Sequence, residues 1–137
     1  MKRLLLAMPF LVMACAPDTP SEGRRIYEDT CASCHGPSGR GNGPAARDQA
    51  RPPADLTKIA ARRDGLWPML EVMSIIDGYN RRALPREGMP VFGDFLEGEL
   101  VDFDSGNGRP APTPVKLIAL VTYLETLQDP PPTGQIP

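Results

Sequence analysis

Cys31-Ala32-Ser33-Cys34-His35 is the stretch on which the reading of this chain turns. Two thiols three residues apart project from one helical turn, where they can add to the two vinyl groups of a porphyrin lying against it. The next residue, the chain's single histidine, then reaches the iron. C-x-x-C-H is the attachment signal for haem c, and it predicts one haem held covalently through Cys31 and Cys34 with His35 as proximal ligand. Three rivals fit less well. A structural zinc site needs four ligands in separated pairs, and beyond this stretch only Cys15 remains. A thioredoxin-like dithiol follows a strand in an alternating β/α pattern, and no strand is legible upstream. A disulfide across so short a spacing closes a tiny loop and gains little entropy.

Composition supports a cofactor-filled core. The 137 residues are 41% hydrophobic but only 6% aromatic, with 17 prolines and 13 glycines, 23% charged residues and a net charge of −2. One domain is the upper limit. Its expected form is all-α, with short helices joined by irregular chain. Such a chain is short of core material, and small domains compensate with disulfides, metals, cofactors or partners. A covalent porphyrin would be the core. An acidic, aromatic-poor chain gives no case for nucleic-acid binding.

Residues 1–14 read as an export signal: Lys2 and Arg3, then an apolar run from Leu4 to Ala14 interrupted by Pro9. A run of eleven residues, Pro9 included, falls well short of the roughly 20 that cross a bilayer. The run Leu11 to Cys15 resembles a bacterial lipoprotein signal, which would make Cys15 the acylated first residue and residues 15–21 a tether. An ordinary secretory signal, giving a soluble periplasmic protein, is the alternative. Either reading exports the domain. It is expected to span 22–129, ahead of a disordered tail at 130–137.

Within the domain, Ser21 is placed to cap a helix from Glu22 towards Cys34, and the Gly-Pro run from Gly36 to Pro53 reads as a loop. Asp55 opens a short helix to about Arg63. Trp67-Pro68 opens another, with Leu66, Leu70, Met73 and Ile76 at helical spacing until Asp77-Gly78. A turn of helix near Asp94 to Glu97 precedes an acidic Gly- and Pro-rich segment, 98–112, which is an irregular loop or a small hairpin. Thr113-Pro114 caps the strongest helix, Val115 to about Gln128.

The C-x-x-C-H closing an N-terminal helix, the downstream Gly88-Met89-Pro90 and the Tyr123-Leu124 step of the last helix together resemble the class I c-type cytochromes. The resemblance covers about Ser21 to Gln128. It implies first and last helices that cross at a small residue and an aromatic lying eight and four positions before the first haem cysteine, here Gly23 and Tyr27. Leu120, Tyr123 and Leu124 would be the facing residues. It also implies a backbone carbonyl from the Gly-rich loop, with Pro44 the candidate, accepting the second ring proton of His35.

Without another histidine, six-coordinate iron needs methionine. Met69 and Met73 sit at helical spacing, where methionine is ordinarily core. Met89 lies 54 residues beyond His35 in irregular chain and is the expected second ligand; core packing with an open iron site is the alternative. His/Met ligation fills both axial positions and describes an electron carrier. Leu56, Ile59, Leu70, Met73, Leu84, Phe92 and Phe95 are expected pocket walls. Trp67, Tyr79, Arg81 and Arg82 are candidate partners for haem propionates.

Three functional classes follow. The first is a monomeric electron carrier, lipid-anchored on the periplasmic side of a bacterial membrane and passing electrons between redox proteins of a respiratory or photosynthetic chain. The second is a haem subunit of a larger oxidoreductase complex; the third is an enzyme or sensor with an open iron site. Charge is uneven: from Cys15 through Arg86 there are 11 basic and 9 acidic residues, and from Glu87 onwards 2 and 8. A positive rim at Arg81, Arg82 and Arg86 would steer an acidic partner. Charge reversal of Arg81 and Arg82 is expected to lower the electron-transfer rate at low salt, measured by stopped flow; an unchanged rate would remove the rim from the account.

Overall fold

Two twelve-residue helices at opposite ends of the domain, α1 (Thr19–Thr30) and α5 (Val115–Thr126), make its largest inter-element contact. They are seen in a computed structural model that describes residues 19–79 and 88–137. The signal segment, Cys15, Leu84, Arg81, Arg82 and Arg86 lie outside the described residues.

Gly23 decides the crossing. A Cβ there would stand 2.0 Å from the Ala119 carbonyl oxygen and 2.9 Å from Tyr123 Cβ, so α1 can approach α5 this closely only because that side chain is missing. The backbone under Gly23 is that of Ala119, and the ring of Tyr123 stacks at a tilt on Tyr27, centroids 5.5 Å apart. Tyr27, Ile26, Leu117, Leu120, Val121 and Leu124 are buried along this seam, the apolar stripe that helical spacing dictates.

α1 begins at Thr19, so Ser21 lies inside its first turn instead of capping it. After a turn at Cys31 the chain continues as α2 (Ala32–His35). The next turns are 3-10 in character, at Pro44–Asp48, Leu56–Lys58 and Ala61–Arg63. Asp55 caps the second of these as expected, its Oδ1 accepting from Thr57 N–H at 2.9 Å and Thr57 Oγ1 at 2.6 Å. The bond to the Thr57 hydroxyl, ahead of the other causes, holds its carboxyl below the usual range.

The all-α expectation does not hold. Among the described residues, four short strands form two two-stranded sheets. Leu66–Pro68 (β1), expected to open a helix, is extended, and α3 begins one residue later as Met69–Asp77. β1 pairs in parallel with β4 (Gly134–Ile136), Trp67 opposite Gln135. The tail expected to be disordered is therefore built into the fold, held also by Thr133 N–H on Gly65 O at 2.8 Å and Gln135 Nε2 on Glu125 Oε1 at 2.8 Å. Beyond α4 (Gly93–Leu96), β2 (Leu100–Phe103) and β3 (Ala111–Pro114) form an antiparallel hairpin, one of the two forms expected for that segment. Its turn is organised by Asp104, whose Oδ1 accepts from Gly106 N–H at 2.9 Å and Gly108 N–H at 3.0 Å. Both sheets are too short for periodicity to betray them.

Met69, Val72, Met73 and Ile76 bury the inner face of α3, while Arg63 clamps Glu71 on its outer side through two hydrogen bonds. Replacing Gly23 by Ala is expected to destabilise the domain by about 3 kcal/mol, the upper end of ordinary overpacking costs. Urea unfolding checks this, and a midpoint equal to wild type would refute the close crossing.

Candidate haem site

A helix end leaves its last carbonyls without intrahelical partners, and here the Gly-rich loop supplies them. Gly36 N–H donates to Ala32 O at 2.9 Å, Gly43 N–H to Cys34 O at 3.0 Å and Gly41 N–H to His35 O at 2.8 Å. Gly43 is pressed so closely onto α2 that a Cβ would lie 2.3 Å from Ser33 O. The loop thus folds back on the turn that carries Cys31, Cys34 and His35. Tyr27 closes the same turn from beneath, donating its hydroxyl to Gly36 O at 2.6 Å.

An open cavity of about 390 Å³ borders this turn. Cys31, Cys34 and His35 form one part of its wall; Pro52, Pro53 and Ala54 form another; Gly88, Met89, Pro90 and Phe92 a third. Phe92 N–H donates to Ile76 O at 3.1 Å, fixing the last stretch against α3. Residues 54 positions apart in sequence therefore share one chamber.

The donor set has a definite chemistry. Cys31 and Cys34 are free thiols, and burial raises the Cys31 thiol above its ordinary value while Thr30 Oγ1 sits 3.3 Å from its sulfur. His35 Nδ1 is 3.0 Å from Ala54 O; a carbonyl only accepts, so Nδ1 carries the proton and Nε2 keeps its lone pair. Burial holds the imidazole below its ordinary value, partly offset by that bond, which favours the neutral ring a metal requires. Among the described residues no group of three or more His, Cys, Asp or Glu side chains converges. A single imidazole, a thioether and two thiols around a largely apolar cavity fit an iron whose other donors come from a porphyrin.

The carbonyl on His35 belongs to Ala54 and not to Pro44, which instead opens the 3-10 turn at 44–48. The Gly-rich loop donates its N–H groups to the α2 carbonyls, and the segment after Pro52-Pro53 supplies the carbonyl that reaches the ring. Met69 and Met73 are core residues on α3. Of the expected walls, Phe92 lines the cavity, Met73 is buried, Leu56 and Ile59 pack against the core, and Leu70 and Phe95 turn outwards, 42% and 52% exposed. Tyr79 is 83% exposed. Trp67 is fully buried and is not one of the residues that border the cavity, and its Nε1 has no hydrogen-bond partner among the described residues, an orphan donor with capacity for a polar group of a bound ligand. Gln49 and Arg51, which composition did not single out, also border the cavity.

This arrangement defines a mono-haem c-type cytochrome. The family model for cytochrome c oxidase, cbb3-type, subunit III matches residues 18–102, more than half of the chain, and the protein belongs to that family. Comparison with curated proteins and with solved structures returned no match. Membership makes haem-based electron transfer its business.

Burial pushes the Tyr27 phenol from its ordinary 10 up to about 12. The unfolded chain ionises this group near 10, so its contribution is complete below that pH and is lost as pH rises through about 12. Tyr27→Phe is expected to cost about 1–2 kcal/mol at neutral pH and to flatten the alkaline loss. Denaturant unfolding near pH 9 and near pH 11 reads both, and an alkaline slope identical to wild type would refute the assignment.

Proposed function

We propose that this chain is a one-electron carrier domain with His35 and Met89 as axial ligands and with Cys31 and Cys34 as attachment points for a single haem c. The observation that carries the reading is the convergence of those four side chains on one cavity. Haem c with such ligands supplies a reversible one-electron change at iron, at a potential raised by the neutral thioether.

The chain's own residues supply the rest. Cys31 and Cys34 offer thiols on one turn, fixing the ring covalently. His35 is held by Ala54 with Nε2 available, so its tautomer is set before any metal arrives. Met89, between a glycine and a proline, lines the same cavity and would be the second protein ligand to the iron, which would make the site one for electron exchange and not for substrate binding. Trp67 Nε1 and Arg81 are the candidate propionate donors. The apolar part of the wall, with Pro52, Pro53, Pro90 and Phe92, would disfavour the extra charge of ferric iron.

Export follows from residues 1–14, and Cys15 would hold the domain, through the 15–21 tether, on the periplasmic side of a membrane by acyl chains. No described helix is long and apolar enough to cross a bilayer. A second reading, permanent docking in an oxidase complex, is favoured by the family's description as an oxidase subunit. Co-purification of a larger redox partner in mild detergent separates it from a free carrier.

The visible spectrum of protein matured with haem c is the test. Oxidised wild type is expected to show the weak far-red band of methionine bound to ferric iron, and Met89→Ala to lose it while gaining carbon monoxide binding when reduced. Wild type without that band, or a band that survives Met89→Ala, would overturn the ligation and point to an open iron site.

A further inference from the structure

Gln128, just beyond α5, is a buried carboxamide, 5% exposed, whose bonds all serve one task. Its Oε1 accepts from Ala60 N–H at 3.0 Å, and its Nε2 donates to Leu56 O at 2.9 Å and to Leu124 O at 2.9 Å. One side chain therefore ties both ends of the 56–60 segment to the last turn of α5. Asp129 adds its backbone N–H to Thr57 O at 2.9 Å, and Lys58 Nζ returns to Asp129 O at 2.6 Å.

That segment is the one that orients the histidine. Ala54, whose carbonyl takes the His35 Nδ1 proton, is joined to Leu56 through Asp55, itself locked to Thr57. Leu56 N–H donates to Gly39 O at 2.7 Å, so the segment is pinned between the Gly-rich loop and Gln128. If the carboxamide were removed, the buried Ala60 N–H and the Leu56 carbonyl would both lose this partner, whereas Leu124 O would keep the Leu127 N–H at 3.2 Å; the cost therefore falls on the 56–60 segment and favours its movement.

We infer that Gln128 is a positioning residue for the proximal imidazole: it fixes the Ala54 carbonyl on Nδ1 and so sets how strongly the ring donates from Nε2. The inference rests on His35 being an iron ligand, as proposed above. A well-placed carbonyl makes the ring a stronger donor, which favours ferric iron; a slack one moves the potential positive.

The test uses the full haem-loaded chain and two readouts, solvent exchange of the His35 Nδ1 proton by NMR in the reduced state, and midpoint potential. Gln128→Ala is expected to speed the exchange about tenfold and shift the potential positive. Leu117→Ala, buried at the other end of α5, should lower stability with neither effect. Wild-type exchange and potential in Gln128→Ala, or equal shifts in Leu117→Ala, would overturn the inference. Should Gln128→Ala not fold, wild type decides: one latch predicts matching opening free energies for Ala60 N–H and His35 Nδ1–H, and Ala60 exchanging more than about tenfold faster refutes it. His35 resonances of oxidised wild type without a paramagnetic shift sink the ligand reading itself, and the inference with it.

Discussion

The close approach of α1 to α5 at Gly23 is the constraint from which the rest of the domain is laid out. One end of α1 delivers the Cys31–His35 turn, and the far end of α5 delivers Gln128 and Asp129. With the two backbones in contact at Ala119, the separation between those ends has little freedom. The 54–60 segment bridges them, bonded to His35 on one side and to Gln128 on the other. A crossing set by the missing side chain of Gly23 thus fixes where a carbonyl meets an imidazole.

Around this frame the chain uses hydrogen bonds where a larger domain would use apolar bulk. The loop from Gly36 to Gly43 is held by α2 carbonyls that a helix end must satisfy anyway. Tyr27 uses its ring on the seam and its hydroxyl on Gly36. Such double use suits a chain with 6% aromatic residues, and it keeps the wall of the cavity rigid with few side chains.

What the sequence made legible was whatever depends on residue type at fixed spacing. Cys31, Cys34 and His35 are readable because the chemistry needs those atoms on one turn. Met89 was separable from Met69 and Met73 because helical periodicity explains the latter pair. Gly23 and Tyr27 were implied by the resemblance to class I c-type cytochromes. Ala54 was missed, with Pro44 in its place, because a backbone carbonyl has no residue signature; the Pro52-Pro53 pair was the nearest hint of a stiff segment. Gln128 looked like a helix terminus. β1 and β4 escaped because three residues of strand carry no period, and their pairing is a tertiary event between segments far apart in the chain. The coarse site was therefore written in side chains, and the fine positioning in the main chain.

The parallel pairing of β4 with β1 also bears on when the domain becomes itself. Thr133 reaches back 68 positions to Gly65, and α5 must cross α1 from the opposite end of the domain, so contacts that complete the structure join early residues to the very last ones. Closing such long loops is slow relative to local helix formation, so the α1–α5 crossing and the β1–β4 pairing, and not the helices themselves, set the pace at which the domain assembles.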